Sequence, residues 1–409
     1  MLLQKSSKWG LRIVLLKEQG LADQSIVYDC IVVGYGGVGS ASLMAAAKKG
    51  WNVLGIDRFG PAHDRGSSHG QTRIIRRAYF EHPNYVPLAN RAFEMWNDLN
   101  KRHRTSLDKK ELLTQTGLLQ MGRQDSDVIQ GVVASAKTHD LKIEHFTPDE
   151  IRQRLPLFKI PDNFVGVFEP GAAFLRVELC VAAMIQQAVK LGAKLKSNHC
   201  VERWDVDEQG LVTVETDRGV HRARRLVIAA GGWSAPLLGD LNLGLQLIHK
   251  QQQWFQLDRV DQKLESKFPC FLLEQDNGDC FYGFPEIDYL GMKVCEHTGG
   301  VPVNSPADID RGLDEAQLMR TRQFMRDHCN YGKSRLVHHS ACVYTMSPDG
   351  HFFVDRYPGH SNVVFAAGLS GHGFKFAPVL GSYLVDLLEG NQASEFDFLR
   401  IGDRVTASD

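Results

Sequence analysis

From Tyr28 to Val33 the chain is apolar, turns at Gly34-Tyr-Gly36-Gly-Val-Gly39, continues from Ala41 to Gly50 in helix-favouring residues, and becomes apolar again from Trp51 to Asp57. Strand, glycine turn, helix and strand in that order predict a nucleotide-binding unit. Gly34 would make the tight turn, Gly36 would let the backbone approach a pyrophosphate, and Gly39 would let the helix pack on the strand. The helix N-terminus then offers amide N–H groups and partial positive charge to phosphates. Asp57, closing the second strand, is placed to accept hydrogen bonds from a ribose.

Two later segments extend this sheet. Arg225 to Trp233 reads as a buried strand ending in a glycine turn, preceded by an alternating stretch from Leu211 to Thr216, and Asn362 to Gly368 repeats the form. Ala377 to Leu388 then reads as a helix with Pro378 suited to its first turn. Strands of one sheet thus come from the beginning, middle and end of the chain, which favours a flavin protein over a contiguous nicotinamide-binding block. The remaining apolar runs, among them Gln253–Leu257, Phe271–Leu273, Cys280–Phe284 and Gly291–Cys295, predict a second, mostly antiparallel sheet roofing the cofactor.

The fold expected is therefore α/β in two domains: a Rossmann-like, glutathione-reductase type FAD-binding domain and a substrate domain built on an antiparallel sheet. The FAD-binding domain would take residues 28–108, 162–245 and 340–398, and the substrate domain 109–161 and 246–339. Residues 1–27 would be an N-terminal extension and 399–409 a C-terminal tail.

Composition adds mainly exclusions. With 47 Lys and Arg against 48 Asp and Glu, no global field draws the protein to nucleic acid or anionic lipid. Eight scattered cysteines without a CxxC pair argue against a zinc site and a disulfide framework, and favour a reducing, cytoplasmic location. The longest N-terminal apolar run, Leu11 to Leu16, is interrupted by Arg12 and too short to span a bilayer.

Four features could carry chemistry. Gly371-His-Gly373-Phe-Lys375, just before the Pro378 helix, could set a cation and a helix N-terminus against the N1 and C2-carbonyl edge of a reduced flavin; a solvent-facing lysine in a glycine-rich loop fits the same residues. Arg73, Arg76 and Arg77 could supply a guanidinium fork for a substrate carboxylate, or form a solvated patch. Lys293 and His297, four apart in an expected strand and about 13 Å apart between Cα atoms, could not serve one atom from the same direction. Cys342 could be an inert core thiol or a covalent anchor for the flavin.

The chain resembles the monomeric sarcosine oxidase and N-methyltryptophan oxidase family of flavin-dependent amine oxidases from Tyr28 to about Phe398. The matching stretches are Val32–Gly39, Gly66-Ser-Ser-His-Gly-Gln-Thr-Arg-Ile-Ile-Arg76, Tyr282-Gly-Phe-Pro285, Met292–His297, Ala341–Asp349 and Gly368–Phe376. This resemblance implies FAD held at Gly34, Gly36, Gly39, Asp57, Arg58, Ser67, His69, Arg73, Gly371, Gly373 and Lys375, with an 8α-thioether to Cys342. It implies that Arg76 and Lys375 hold the substrate carboxylate and that Lys293 promotes reaction with oxygen. It places His69, Tyr282, His297 and Tyr344 around the pocket, with no metal. The activity implied is oxidation of a secondary amino acid by a monomer, yielding an imine and hydrogen peroxide. A dehydrogenase of the same fold passing electrons to a carrier is the alternative enzyme, and a nucleotide-binding regulatory protein the alternative without chemistry.

Overall fold

The computed structural model describes residues 26–104, 110–256, 268–288, 290–330 and 333–404. Most of the expected N-terminal extension, and Leu257 of the expected strand, lie outside these residues.

A six-stranded sheet forms the nucleotide side. Its order is Lys194–Lys196, Val53–Ile56, Cys30–Val33, Leu226–Ile228, His360–Ala367 and Phe353–Tyr357, and the first five strands are parallel. These strands are short and their central members apolar on both faces because both faces are covered. Cys30, Val32, Val53 and Val227 pack under helices, and Ile31, Val33, Leu54 and Ile228 pack against Val212 and Val214 of a strand in a separate sheet. Helix Gly37–Lys48, rich in Gly, Ala and Ser, packs between helices Val177–Lys190 and Ala377–Leu388. A Cβ on Gly381 would stand 2.5 Å from that of Ala41, so the residues Gly and Ala are what let helices from opposite chain ends touch. Pro378 lies in the first turn of its helix, where a missing N–H costs nothing.

The larger sheet has nine strands. Gln246–Gln256 is its spine: Arg335–Met346 pairs along one edge, and Val301–Val303 and Met292–Glu296 share the other. Beyond Met292–Glu296 follow Cys280–Phe284, Cys270–Glu274, Leu118–Arg123, Phe164–Glu169 and Glu144–Phe146. Alternation along these strands sorts side chains between two faces. Phe281, Met292 and Val294 pack with Phe324 of helix Glu315–His328, the Phe281 and Phe324 rings stacking at 4.3 Å, whereas Tyr282, Phe284 and Cys295 join the cluster on the opposite face.

Three boundaries differ from the sequence reading. Phe164–Glu169, expected on the cofactor side, pairs with Leu118–Arg123 of the large sheet. Arg335–Met346 runs unbroken through position 340, where a boundary was expected. Val27, expected in the extension, pairs with Arg222 in a separate four-stranded sheet. Each difference has one cause: strand partners come from distant chain segments and leave no trace in local composition. Of the expected C-terminal tail, residues 399–404 fold back, with the Arg404 guanidinium 2.8 Å from both oxygens of Asp349 and the Ile401 amide donating to Asp355. Among the described residues no helix is long and apolar enough to cross a membrane.

Candidate active site

The glycine turn opens a cleft with about 1530 Å³ of free space, part of it open to solvent, at the carboxyl ends of the parallel strands. Gly34 has φ +81°, and a Cβ there would meet Ala229 O at 2.6 Å; one on Gly39 would meet Gly34 O at 1.8 Å. Gly36 has only an ordinary contact, 3.4 Å to Ser68 Oγ, so its missing side chain leaves room on the cleft side. Asp57 accepts from the Tyr35 amide at 2.8 Å and the Phe59 amide at 2.8 Å. With two lone pairs per oxygen, it retains acceptor capacity in the cleft it lines. Arg58 lies 4.3 Å over the Trp233 ring, and Ser67 donates to Val343 O at 2.6 Å. Gly371 and Gly373 line the far end. A cradle of bare backbone at a helix start, with an acid at the end of the next strand, fits an adenine dinucleotide.

Arg73 borders both this cleft and a second pocket with about 530 Å³ of free space, part of it open to solvent. Its guanidinium donates to Ser67 O and Thr72 O, each at 2.8 Å, and reaches Cys342 Sγ at 3.7 Å. Lys293 is buried behind it, donating to Gly70 O at 2.7 Å and Thr72 O at 3.2 Å. Burial first, then repulsion from Arg73, brings its pKa down to about 7. His69 is also buried, its Nδ1 3.5 Å from Ser340 Oγ, and burial holds it well below the usual histidine range.

The second cavity gathers Arg73, Arg76, Tyr282, His297, Tyr344, Gly371 and Lys375. Their convergence depends on alternation in Cys280–Phe284, a turn after Thr72–Ile75, and the loop before the C-terminal helix. Lys375 donates to Tyr79 Oη at 3.1 Å and His372 O at 2.8 Å. Burial, then Arg76, lowers its pKa to about 7. The Tyr344 hydroxyl lies 3.5 Å from His297 Nδ1. Burial pushes His297 down to about 4 and both phenols up, so all three are neutral near pH 7. Lys293, His69 and Cys342 do not border this cavity; they stand behind Arg73. Lys293 and His297 serve different places: the strand ends at Glu296, Lys293 turns to the carbonyls of Gly70 and Thr72, and His297, its amide donating to Cys280 O at 2.7 Å, lines the second cavity.

Sequence reasoning missed Glu81. Arg76 Nη2 donates to its two oxygens at 2.8 and 2.6 Å, and Nη1 to Ala78 O at 2.9 Å. Burial raises the Glu81 pKa, but Arg76, His372 and Lys375 outweigh it and bring the carboxyl down to about 2. Arg76 thus already holds a carboxylate. The signal available was an acid five residues after an arginine, which is too common to read. His372, inside a recognised motif but assigned no role, accepts from Tyr79 Oη at 2.6 Å while its Nε2–H donates to Gly350 O at 3.1 Å.

Comparisons with known proteins agree with this geometry. Residues 29–387 match the DAO family, described as FAD dependent oxidoreductase. The chain is 36% identical over 377 residues to N-methyl-L-tryptophan oxidase of Escherichia coli, covering 90% of this chain and 97% of that one. It is 37% identical over 368 residues to monomeric sarcosine oxidase of a Bacillus species, covering 88% and 92%. Among solved structures, the open form of NikD, an unusual amino acid oxidase essential for nikkomycin biosynthesis, superposes with a TM-score of 0.78 at 25% identity, over 91% of this chain and 97% of that one. Glycine oxidase from Geobacillus kaustophilus shares the fold with a TM-score of 0.78 at 18% identity, over 93% and 99%.

Proposed function

Because the chain belongs to the DAO family of FAD-dependent oxidoreductases, we propose that it oxidises N-methyl amino acids at the carbon beside the amine, with oxygen as acceptor. The observation that carries this reading is a pocket holding Arg76 and Lys375 together, joined through Arg73 to the dinucleotide cleft. Arg73, Arg76 and Lys375 border this pocket against the single carboxylate of Glu81, so the cations exceed their partner and leave a place for a further anion, such as the carboxylate of an amino acid.

When bound, FAD supplies the two-electron acceptor for a hydride equivalent. The residues supply the rest. Arg76 and Lys375 orient the substrate by its carboxylate, after Arg76 gives up Glu81. The aromatic and apolar walls, Phe80, Leu272, Tyr282 and Tyr344, exclude water and lower the pKa of the substrate amine, which must be neutral to react. His297 stays uncharged and adds no repulsion. Water then hydrolyses the released imine to an aldehyde and the demethylated amine. The rate of the reductive step is expected to rise with pH as the amine loses its proton, while affinity weakens above about pH 7 as Lys375 loses its own. A flat reductive profile across the amine titration would count against this account.

Lys293 supplies positive charge for the negative charge that oxygen gains on reduction. Lys293→Met is expected to keep anaerobic bleaching of the chromophore while slowing its return in air at least about tenfold, ~1.4 kcal/mol. Equal loss in both half-reactions would remove that role. Cys342 would hold FAD through a thioether at the 8α-methyl carbon, the thiol hydrogen and one methyl hydrogen being lost with two electrons that the flavin would take up and oxygen remove. The support is its sulfur 3.7 Å from an arginine lining the cleft. Cys342→Ser is expected to release the chromophore on acid precipitation, and a chromophore already released from the unmutated protein would refute the bond. The reading also includes a monomer in the cytoplasm, the latter supported by eight free thiols.

The test is a panel of N-methyl amino acids mixed anaerobically with the purified protein. Bleaching by sarcosine or N-methyltryptophan, with hydrogen peroxide on admitting air, is expected. Bleaching without peroxide would give the dehydrogenase reading, and bleaching by no secondary amino acid would overturn the proposal.

A further inference from the structure

The turn His69–Thr72 is held from both sides. Gly70 and Gln71 have φ values of +86° and +70°, and a non-glycine residue in that region is strained. The backbone groups of Gly70, Gln71 and Thr72 are engaged. The Gly70 and Gln71 amides donate to Glu178 at 2.6 and 3.1 Å, Val177 N donates to Gln71 O at 3.0 Å, and Thr72 N donates to Gly70 O at 2.8 Å. The Gln71 side chain accepts from Trp254 Nε1 and donates to Ile287 O. On the opposite side, Gly70 O and Thr72 O take the Lys293 ammonium.

One peptide unit therefore spans two charges: the ammonium of Lys293 donates to the carbonyl of Gly70, and the N–H of Gln71 in the same peptide donates to Glu178. Its dipole is aligned with both, an arrangement in which each hydrogen bond polarises the next. We propose that Glu178 is the positioning residue and counter-charge of Lys293, acting through the Gly70–Gln71 peptide. Its kinetic consequence rests on the oxygen role of Lys293 proposed above; its electrostatic content does not.

The groups facing Lys293 explain why a counter-charge is needed. Arg73 from Thr72–Ile75 repels it, and His69 lies close enough to interact; Cys295 on its own strand and Cys342 on Arg335–Met346 are thiols. The rings of Trp254 and Phe284 lie 5.1 and 5.2 Å from the ammonium. Glu178 is the carboxylate that acts on both Lys293 and Arg73. Two buried cations side by side without it would favour loss of the lysine proton.

Protein labelled with 13C at lysine Cε provides the readout, because the Lys293 signal is the one that vanishes in Lys293→Met. Glu178→Gln keeps an amide oxygen for the two N–H donors and removes the charge. It is expected to lower the protonation midpoint of Lys293 by about one pH unit or more, a roughly tenfold loss of proton affinity. An unchanged midpoint overturns the proposal. Should that variant not fold, the shorter pair Glu178→Asp and Glu178→Asn repeats the comparison, with the lower midpoint expected in the asparagine variant and equality overturning it. In air, the bleached chromophore of Glu178→Gln should recover more slowly at pH 7 and regain speed at lower pH. If Lys293→Met leaves that recovery unaltered, the oxygen role of Lys293 falls, while the midpoint alone still decides the case for Glu178.

Discussion

Arg76→Met is expected to lower kcat/KM for N-methyl amino acids by about 10² to 10³-fold, ~3–4 kcal/mol, the usual loss when one member of a buried charge pair is removed. Arg76 is 4% exposed and flanked by the Tyr79 and Phe80 rings at 4.2 and 4.4 Å, so water cannot replace the lost fork. Stopped-flow bleaching under anaerobic conditions separates the terms: the concentration dependence should weaken far more than the limiting rate. A shift in half-saturation below about threefold would mean that the carboxylate sits elsewhere. Glu81→Gln is the matched experiment, because Glu81 occupies the nitrogen a substrate would need. Removing its charge should tighten carboxylate binding while lowering the melting temperature, since Arg76 is then left buried without a counter-charge. The Glu81 pKa lies below its ordinary value, so the stability it contributes is present above the ordinary carboxylate range and fades only as pH falls toward about 2. Competition between Glu81 and substrate should therefore not vary with pH near neutrality.

Gly39→Ala is expected to abolish chromophore binding and to cost more than about 4 kcal/mol of stability, in the range reserved for gross steric conflict. The added carbon would stand 1.8 Å from Gly34 O. That oxygen is held in place, because the Gly34 amide is tied to Ile56 O at 2.8 Å and the preceding Val33 carbonyl accepts from Ala229 N at 2.9 Å. Gly36→Ala is the control. Its carbon meets nothing closer than Ser68 Oγ at 3.4 Å, so the apoprotein should fold and melt normally while holding cofactor less tightly. Visible absorbance per mole of protein and thermal melts, with and without added FAD, read both effects. A yellow Gly39→Ala protein with an unchanged melt would show that the turn can yield.

The strand-turn-helix unit was legible because its causes are local. Apolar runs, three spaced glycines and a closing acid act within about thirty residues, and the helix after Pro378 begins and ends as its composition predicts. The strands that carry Tyr282 and Lys293 were legible as apolar runs, but which face each side chain takes was not, because Cys280–Phe284 is apolar throughout. The strand Phe164–Glu169 was misplaced because hydrogen bonding to Leu118–Arg123 depends on where the chain returns.

Taken alone, the order of residues determined a dinucleotide cleft, a second sheet, and arginines and lysines available for an anionic substrate. Which carboxylate each cation meets was decided only in three dimensions. Arg76 meets Glu81 through a turn, and Lys293 meets Glu178 through one peptide of a strained loop, from positions more than a hundred residues apart. Charge pairing depends on distance in space and not along the chain, so it becomes visible only when folding fixes the turn that brings Glu81 back to Arg76 and the contact that brings Glu178 to the loop under Lys293.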